Sequence, residues 1–147
     1  MAAPRRRIAI ALCLALTGAC RPPAPDPSAG DTRQAIALPP EARNAVLSEM
    51  RTMLGSLNGI LTGLATRDTA AIHRAAAASG LAMAADPALE KLLPDQFLTW
   101  GVQTHRQFDD LAAAAASDIT PDSVVARLSR ITQLCVSCHA TYRLTLR

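Results

Sequence analysis

Aromatic side chains are scarce in this sequence, which has one Trp, one Tyr and two Phe among 147 residues. Alanine is abundant instead and forms runs such as Ala75–Ala78 and Ala112–Ala116. Alanine has the highest helix propensity, whereas strands favour β-branched and aromatic residues. We therefore predict helices and no strands. A core built mainly from Ala and Leu is thin, which leaves room for a large apolar ligand.

An excess of positive charge is also lacking once the N-terminus is set aside. The whole chain has a formal charge of +3 at pH 7, and Arg5, Arg6 and Arg7 supply that excess. From Cys20 onward, basic and acidic residues balance. Binding to nucleic-acid phosphates requires concentrated positive charge. Nucleic acid is therefore excluded as an expected partner.

The N-terminus has the pattern of an export signal. Arg5–Arg7 precede the apolar stretch Ile8–Leu16, which is too short to span a bilayer. The following segment Thr17–Cys20 resembles a bacterial lipobox. We expect a signal peptide over residues 1–19, a lipid on Cys20 and a proline-rich tether over residues 20–39. The expected location is the periplasm, with the protein anchored to a membrane; ordinary cleavage without a lipid is the alternative.

Cysteine is rare in the rest of the chain. Of four cysteines, only Cys135 and Cys138 lie beyond Cys20. A single pair does not build a disulfide framework. An unused CxxC pair would be a liability in an oxidising periplasm. A covalent use for both sulfurs is therefore favoured.

Helical patterns fill the chain after the tether, with apolar residues recurring at spacings of three and four. The first segment spans about Pro40–Thr66. The second spans about Thr69–Ala85 with Asp68 as its N-cap, and an interruption at Ser79-Gly80 is the alternative. The third begins near Pro94, and the fourth begins at Pro121 after the N-cap Thr120. This pattern predicts an all-α fold, an antiparallel four-helix bundle over residues 40–147. A bundle without a cofactor has the same pattern, so the fold alone decides no function.

The segment CVSCHATYR, Cys135–Arg143, carries the most specific chemistry. On a helix, Cys135, Cys138 and His139 lie on one face because they are spaced by three and four residues. Two thioether bonds and an adjacent imidazole that reaches the iron are the chemistry of haem c. The motif therefore predicts one covalently attached haem c near the C-terminal helix.

Two other uses of these cysteines stay open. A redox dithiol prefers a helix N-terminus, where the thiol pKa is lowered, whereas this pair lies near a predicted helix C-terminus. Structural zinc needs a fourth protein ligand, and His73 and His105, the other histidines, lack finger-type spacing. Both uses are less favoured than haem attachment.

The CxxCHxxYR pattern at the end of a four-helix pattern resembles the cytochrome c′ family, the class II c-type cytochromes. Most other c-type cytochromes carry the motif near the N-terminus. The resemblance covers about Glu41–Arg143 in architecture and is sharp over Cys135–Arg143. It implies that Cys135 and Cys138 carry the haem and that His139 is the proximal iron ligand. Tyr142 and Arg143 would flank this ligand.

Members of this family differ at the sixth iron position, which the first helix supplies. An apolar side chain there gives a gas-binding, high-spin protein, whereas methionine gives a low-spin electron carrier. Met50 lies on the apolar seam of the first helix in both heptad registers, and Met53 lies on it in one. The sequence therefore favours the methionine-ligated members, with His139 and Met50 as axial ligands. The alternatives are Met53 as ligand, an open position, or methionines that only fill the core.

Other polar residues have weaker assignments. His73 is expected to face solvent. His105 is expected to be partly exposed, with a haem propionate or the iron as alternative partners. Arg43 and Arg51 are candidates to contact propionates.

Taken together, these features predict an exported monohaem cytochrome that carries single electrons. No acid–base pair or activated nucleophile is visible, so we do not expect an enzyme. The expected partners are redox proteins and, through the lipid, a membrane; a homodimer is a further option. A gas-binding (nitric oxide or carbon monoxide) cytochrome c′ and a haem-free structural lipoprotein remain as alternatives.

Overall fold

The computed structural model of the protein describes residues 30–84, 87–117 and 119–147. The predicted signal peptide, Cys20 and most of the predicted tether lie outside the described residues. Thr32–Arg147 form one compact unit. In the described part of the chain, no helix is long and apolar enough to cross a membrane.

The compact unit is mainly helical and contains one small sheet. Its elements, in chain order, are β1 Gln34–Leu38, α1 Pro40–Thr66, α2 Thr69–Ala77, a 3-10 turn Leu81–Met83, α3 Pro87–Glu90, α4 Asp95–Ala115, α5 Pro121–Thr141 and β2 Tyr142–Leu146. The predicted bounds of the first helix are confirmed, and the predicted starts of the third and fourth helices agree within one residue.

Capping side chains set two of these helix starts, as predicted. Asp68 accepts a hydrogen bond from the Ala71 amide at 2.8 Å at the start of α2. Thr120 accepts one from the Ser123 amide at 3.3 Å at the start of α5. Each bond satisfies an amide that has no partner within the helix.

The second helix ends at Ala77, just before Ser79-Gly80, where the sequence allows an interruption. Gly80 has an extended backbone, with φ −73° and ψ 179°, and a Cβ there would collide with the carboxylate of Asp109. That carboxylate accepts a hydrogen bond from the Leu81 amide at 2.9 Å. The contact with α4 thus supplies a partner for the Leu81 amide where the chain has left α2.

The prediction that the chain has no strands is wrong. β1 and β2 pair in parallel, with Gln34 opposite Tyr142 and Leu38 opposite Leu146. Ile36 and Leu38 of β1 point inward and are buried. β1 lies at the end of the range assigned to the tether, and each strand has five residues. Such short segments take their stability from the partner strand and from packing.

The apolar residues form two clusters. The main core joins α1, α2, α4 and α5 and consists of Ile60, Ile72, Ala76, Phe108, Leu111, Ala112, Ala115, Val124, Leu128 and Ile131. The second cluster lies beside the sheet and consists of Ile36, Leu38, Val46 and Tyr142. Helix α1 packs on α2, and α5 packs on α4, whereas α1 and α5 make little direct contact.

Helices α1 and α2 approach closely at two glycines of α1. A Cβ on Gly59 would lie 2.8 Å from the Cβ of Ala75. A Cβ on Gly63 would lie 2.8 Å from Ile72 Cγ1 and 3.0 Å from the Asp68 carbonyl oxygen. Glycine at these positions permits the short distance between the two helices.

Candidate functional site

The CxxCH motif occupies the last two turns of α5, which ends at Thr141. Cys135 and Cys138 are partly buried and are not joined in a disulfide. His139 is exposed. Directly after the helix, Tyr142 adopts an extended backbone and begins β2. The motif therefore lies at the junction between the helices and the sheet.

A cleft with a volume of about 230 Å³ opens beside the motif. We call it the motif cleft, and its lining residues are Arg33, Arg43, Leu47, Met50, Phe97, Cys138, His139, Tyr142, Arg143 and Leu144. Five of the six residues predicted to contact a cofactor are in this set. Cys135, the sixth, lies one helical turn before Cys138 and does not line the cleft.

The two candidate methionine ligands lie in different surroundings. Met50 lines the motif cleft and packs against the second cluster. Met53 packs against the main core instead, and Met83 lies in the 3-10 turn. Of these three, only Met50 shares a cleft with His139. Its role as an iron ligand stays a prediction.

Positive side chains from three parts of the chain line the motif cleft. They are Arg33, Arg43 and Arg143, and the lining found among the described residues includes no Asp or Glu. Arg33 donates a hydrogen bond from Nη1 to the His139 carbonyl oxygen at 3.2 Å. A cation is favourable at this helix C-terminus because the last carbonyl groups carry partial negative charge. Arg51, the second predicted propionate contact, is exposed and does not line the cleft.

Aromatic residues pack around the sheet end of the motif. Tyr142 is buried, and its ring lies edge-on to Phe97 with the ring centres 5.7 Å apart. The Trp100 ring also lies edge-on to it, at 6.1 Å. Such edge-to-face pairs are a favourable aromatic geometry. Three of the four aromatic residues in the chain therefore lie within or next to the motif cleft.

The environment of the two thiols favours their protonated form. Burial raises the pKa of Cys135. Burial, followed by repulsion from Cys135, raises the pKa of Cys138 to about 11. A redox dithiol requires a lowered thiol pKa, so this surrounding argues against thioredoxin-like chemistry. Within residues 30–84, 87–117 and 119–147, no three His, Cys, Asp or Glu side chains are placed to hold a metal ion.

The expected exposure of His105 and His73 is wrong. His105 is 1% exposed, and its Nδ1–H donates to the Ser79 carbonyl oxygen at 2.8 Å. Its Nε2–H donates to Glu49 at 2.6 Å. Both ring nitrogens are thus occupied by partners within the protein, and His105 does not line the motif cleft. His73 is partly buried and donates from Nδ1 to the Ala112 carbonyl oxygen at 2.9 Å.

The pKa of His105 reflects opposing effects. Burial alone lowers it, because a charged imidazolium loses solvation. The hydrogen bonds to Glu49 and to the Ser79 carbonyl, with the negative charges of Glu49 and Asp109, outweigh burial and raise the pKa above its usual value. His105 and Glu49 therefore favour an imidazolium–carboxylate pair.

Sequence reasoning missed two features of this site. Arg33 was assigned to the tether, and only the pairing of β1 with β2 brings it to the motif. The contact between His105 and Glu49 had no sequence signal, because the two residues lie on different helices. Comparison of the chain with family models, curated proteins and solved structures finds no match.

Proposed function

We propose that the chain is an exported, monohaem c-type cytochrome that carries single electrons. In this proposal, α1, α2, α4 and α5 form an antiparallel four-helix arrangement. Cys135 and Cys138 would hold the haem through thioether bonds, and His139 and Met50 would supply the iron ligands. The observation that carries the proposal is that Met50 of α1 lines the same cleft as Cys138 and His139 of α5.

The donor groups around the motif cleft suit a haem c. Two thiols spaced by three residues can bond to the porphyrin edge, and the adjacent imidazole can reach the iron. Met50 supplies a thioether from another helix. The arginines of the cleft supply positive charge for the two carboxylates that a haem carries.

The cleft itself accommodates only part of a porphyrin, which is larger than about 230 Å³. Helices α1 and α5 make little direct contact, so an increase in their separation would mainly loosen the second cluster, which includes Val46 of α1 and Tyr142. The main core lies toward the other ends of these helices and does not contain residues of the motif. The proposed arrangement therefore requires a change of spacing between α1 and α5, with the main core retained.

When bound, haem iron supplies a one-electron couple. The protein residues have separate roles around it. Met50 and His139 approach from opposite helices, and ligands that stay in place in both oxidation states favour fast electron exchange. Phe97 and Tyr142 exclude water from the interior of the cleft. Arg43, which lines the cleft, would supply positive charge for the carboxylates of the haem.

Electron transfer is favoured over gas binding because Met50, a potential iron ligand, lines the cleft. A gas-binding protein needs an open sixth position. The proposal also places the protein in the periplasm with a lipid on Cys20, and it assigns redox proteins as partners. We propose no enzymatic reaction.

The absorption spectrum in both oxidation states tests the proposal. The full chain is produced in a host that attaches haem c, and the haem is expected to resist acid-acetone extraction. A low-spin spectrum is expected for the wild type. Met50→Ala should give a high-spin, carbon monoxide-binding protein, whereas the matched control Met53→Ala should stay low-spin.

Three outcomes would contradict the proposal. A colourless protein with two free thiols rejects the cofactor. A wild type that is already high-spin and binds carbon monoxide favours the gas-binding alternative. Loss of the low-spin spectrum in Met53→Ala, with no change in Met50→Ala, would assign the ligand to Met53.

A further inference from the structure

A buried polar network lies beside Met50 and is not used by the proposed function. His105 of α4 contacts Glu49 of α1 through Nε2 at 2.6 Å and the Ser79 carbonyl oxygen through Nδ1 at 2.8 Å. The Ser79 hydroxyl is also hydrogen-bonded to that of Ser56, at 2.8 Å. His105, Ser79 and Ser56 are all buried. The network therefore joins α1, the segment after α2, and α4.

The network contacts α1 at two points, Glu49 and Ser56. These residues are seven apart, so they lie on the same face of the helix, two turns from each other. Met50 follows Glu49 directly and lies about 100° further around the helix. Leu47 and Met50, three residues apart, form the neighbouring face that lines the motif cleft. One face of α1 is thus held by polar contacts while the adjacent face presents Met50.

The Glu49 contact is the more directional of the two. Its distance of 2.6 Å and its charged partners are typical of a strong, charge-assisted hydrogen bond. The His105 ring is held at both nitrogens, so it cannot follow a rotation of α1. A rotation that moved Met50 out of the cleft would break this bond.

We propose that Glu49 and His105 are positioning residues for Met50, and that their hydrogen bond fixes the rotation of α1 that directs the thioether into the motif cleft. The expected effect of these residues on the iron rests on the proposed function. The position of Met50 itself is a property of the chain and can be measured without haem. The two tests can therefore succeed or fail separately.

Three substitutions separate positioning from charge and from general stability. Glu49→Ala removes the hydrogen bond and the charge, whereas Glu49→Gln removes the charge but keeps an acceptor for Nε2–H. Ser56→Ala is the matched control because it removes the second contact of the same network, two turns from Met50. Glu49 is the preferred target because it is partly exposed, with 22% of its side chain accessible, so the variants should fold.

The first measurement uses methyl NMR of methionine in the full chain produced without haem. In Glu49→Ala, the Met50 methyl signal is expected to shift and broaden because the side chain exchanges among several conformations. The Met53 methyl signal should stay unchanged. Glu49→Gln should restore a single Met50 signal, and Ser56→Ala should retain it. A Met50 signal in Glu49→Ala identical to that of the wild type would overturn the inference, as would equal broadening in Ser56→Ala.

The second measurement uses the same variants with haem attached. Glu49→Ala is expected to convert most of the low-spin spectrum to high-spin, and Glu49→Gln should return it to low-spin. High-spin spectra of equal extent in Glu49→Ala and Glu49→Gln would assign the effect to charge and reject positioning. A wild type without attached haem would refute the proposed function, and the methyl signals would still decide the inference about Met50.

Discussion

Replacement of Gly63 with alanine tests the closest approach between α1 and α2. The added Cβ would lie 2.8 Å from Ile72 Cγ1 and 3.0 Å from the backbone oxygen of Asp68. The near neighbours include two backbone atoms, the Ile72 nitrogen in α2 and the oxygen of its N-cap Asp68. A side-chain rotation alone therefore cannot relieve the contact. We expect overpacking to cost about 1–3 kcal/mol. The higher helix propensity of alanine offsets about 1 kcal/mol of that cost.

Gly55 provides a matched control on the same helix. A Cβ at Gly55 would meet no atom within 4 Å, so Gly55→Ala should stabilise the protein by about 0.5–1 kcal/mol through helix propensity. The free energies of unfolding of the two variants should therefore differ by about 1–3 kcal/mol, with Gly63→Ala the less stable.

Urea unfolding, followed by the helical signal in circular dichroism, measures both free energies. The comparison requires equal denaturant slopes for the two variants, because a changed slope would report a change in the unfolded state. Equal stabilisation by Gly55→Ala and Gly63→Ala would refute the close packing of α1 on α2. Greater destabilisation in Gly55→Ala would place the helix contact on another face of α1.

Three further predictions concern polar groups. The pKa of His105 is raised on folding. Its contribution to the free energy of unfolding is therefore present below about pH 6.5 and is lost as the pH rises through the folded pKa. Urea unfolding at a series of pH values should show this decline, and His105→Gln should make the free energy of unfolding less dependent on pH. Asp109→Ala removes the acceptor of the Leu81 amide and should lower the unfolding free energy by about 1–2 kcal/mol, with exposed Asp110→Ala within about 0.5 kcal/mol of wild type. Cys138, with a pKa of about 11, should be alkylated slowly at pH 7 in the haem-free chain, and fast alkylation by iodoacetamide at that pH would contradict the buried thiol.

The long helices could be predicted because their signals are local. Pro40 begins α1, Asp68 caps α2, and Thr120 caps α5, all within a few residues of the amides they affect. Apolar spacings of three and four then mark the buried side of each helix. Such signals do not depend on distant parts of the chain.

The strands and the polar network could not be predicted in the same way. Ile36 and Leu38 become buried only because β2 and the second cluster cover them. The environment of His105 depends on Glu49 and Ser79, which two other segments supply. To predict these features, one must know which elements lie side by side. The spacing of residues along one helix does not contain that information.

The candidate site was only partly accessible to sequence reasoning. The motif points to its own cysteines and histidine because that prediction depends only on residue types and their spacing within Cys135–His139. The preference for Met50 over Met53 came from its seam position, and the structure adds that these side chains face different clusters. Arg33 could not be recognised, since its contact with the His139 carbonyl depends on the sheet.

The parallel pairing of β1 with β2 also determines where the chain that precedes β1 enters the compact unit. Gln34 pairs with Tyr142, and Arg33 contacts the carbonyl of His139. A lipid anchor at Cys20 would therefore pull on the protein next to the motif cleft. In the proposed function, attachment and electron exchange would thus share one end of the compact unit.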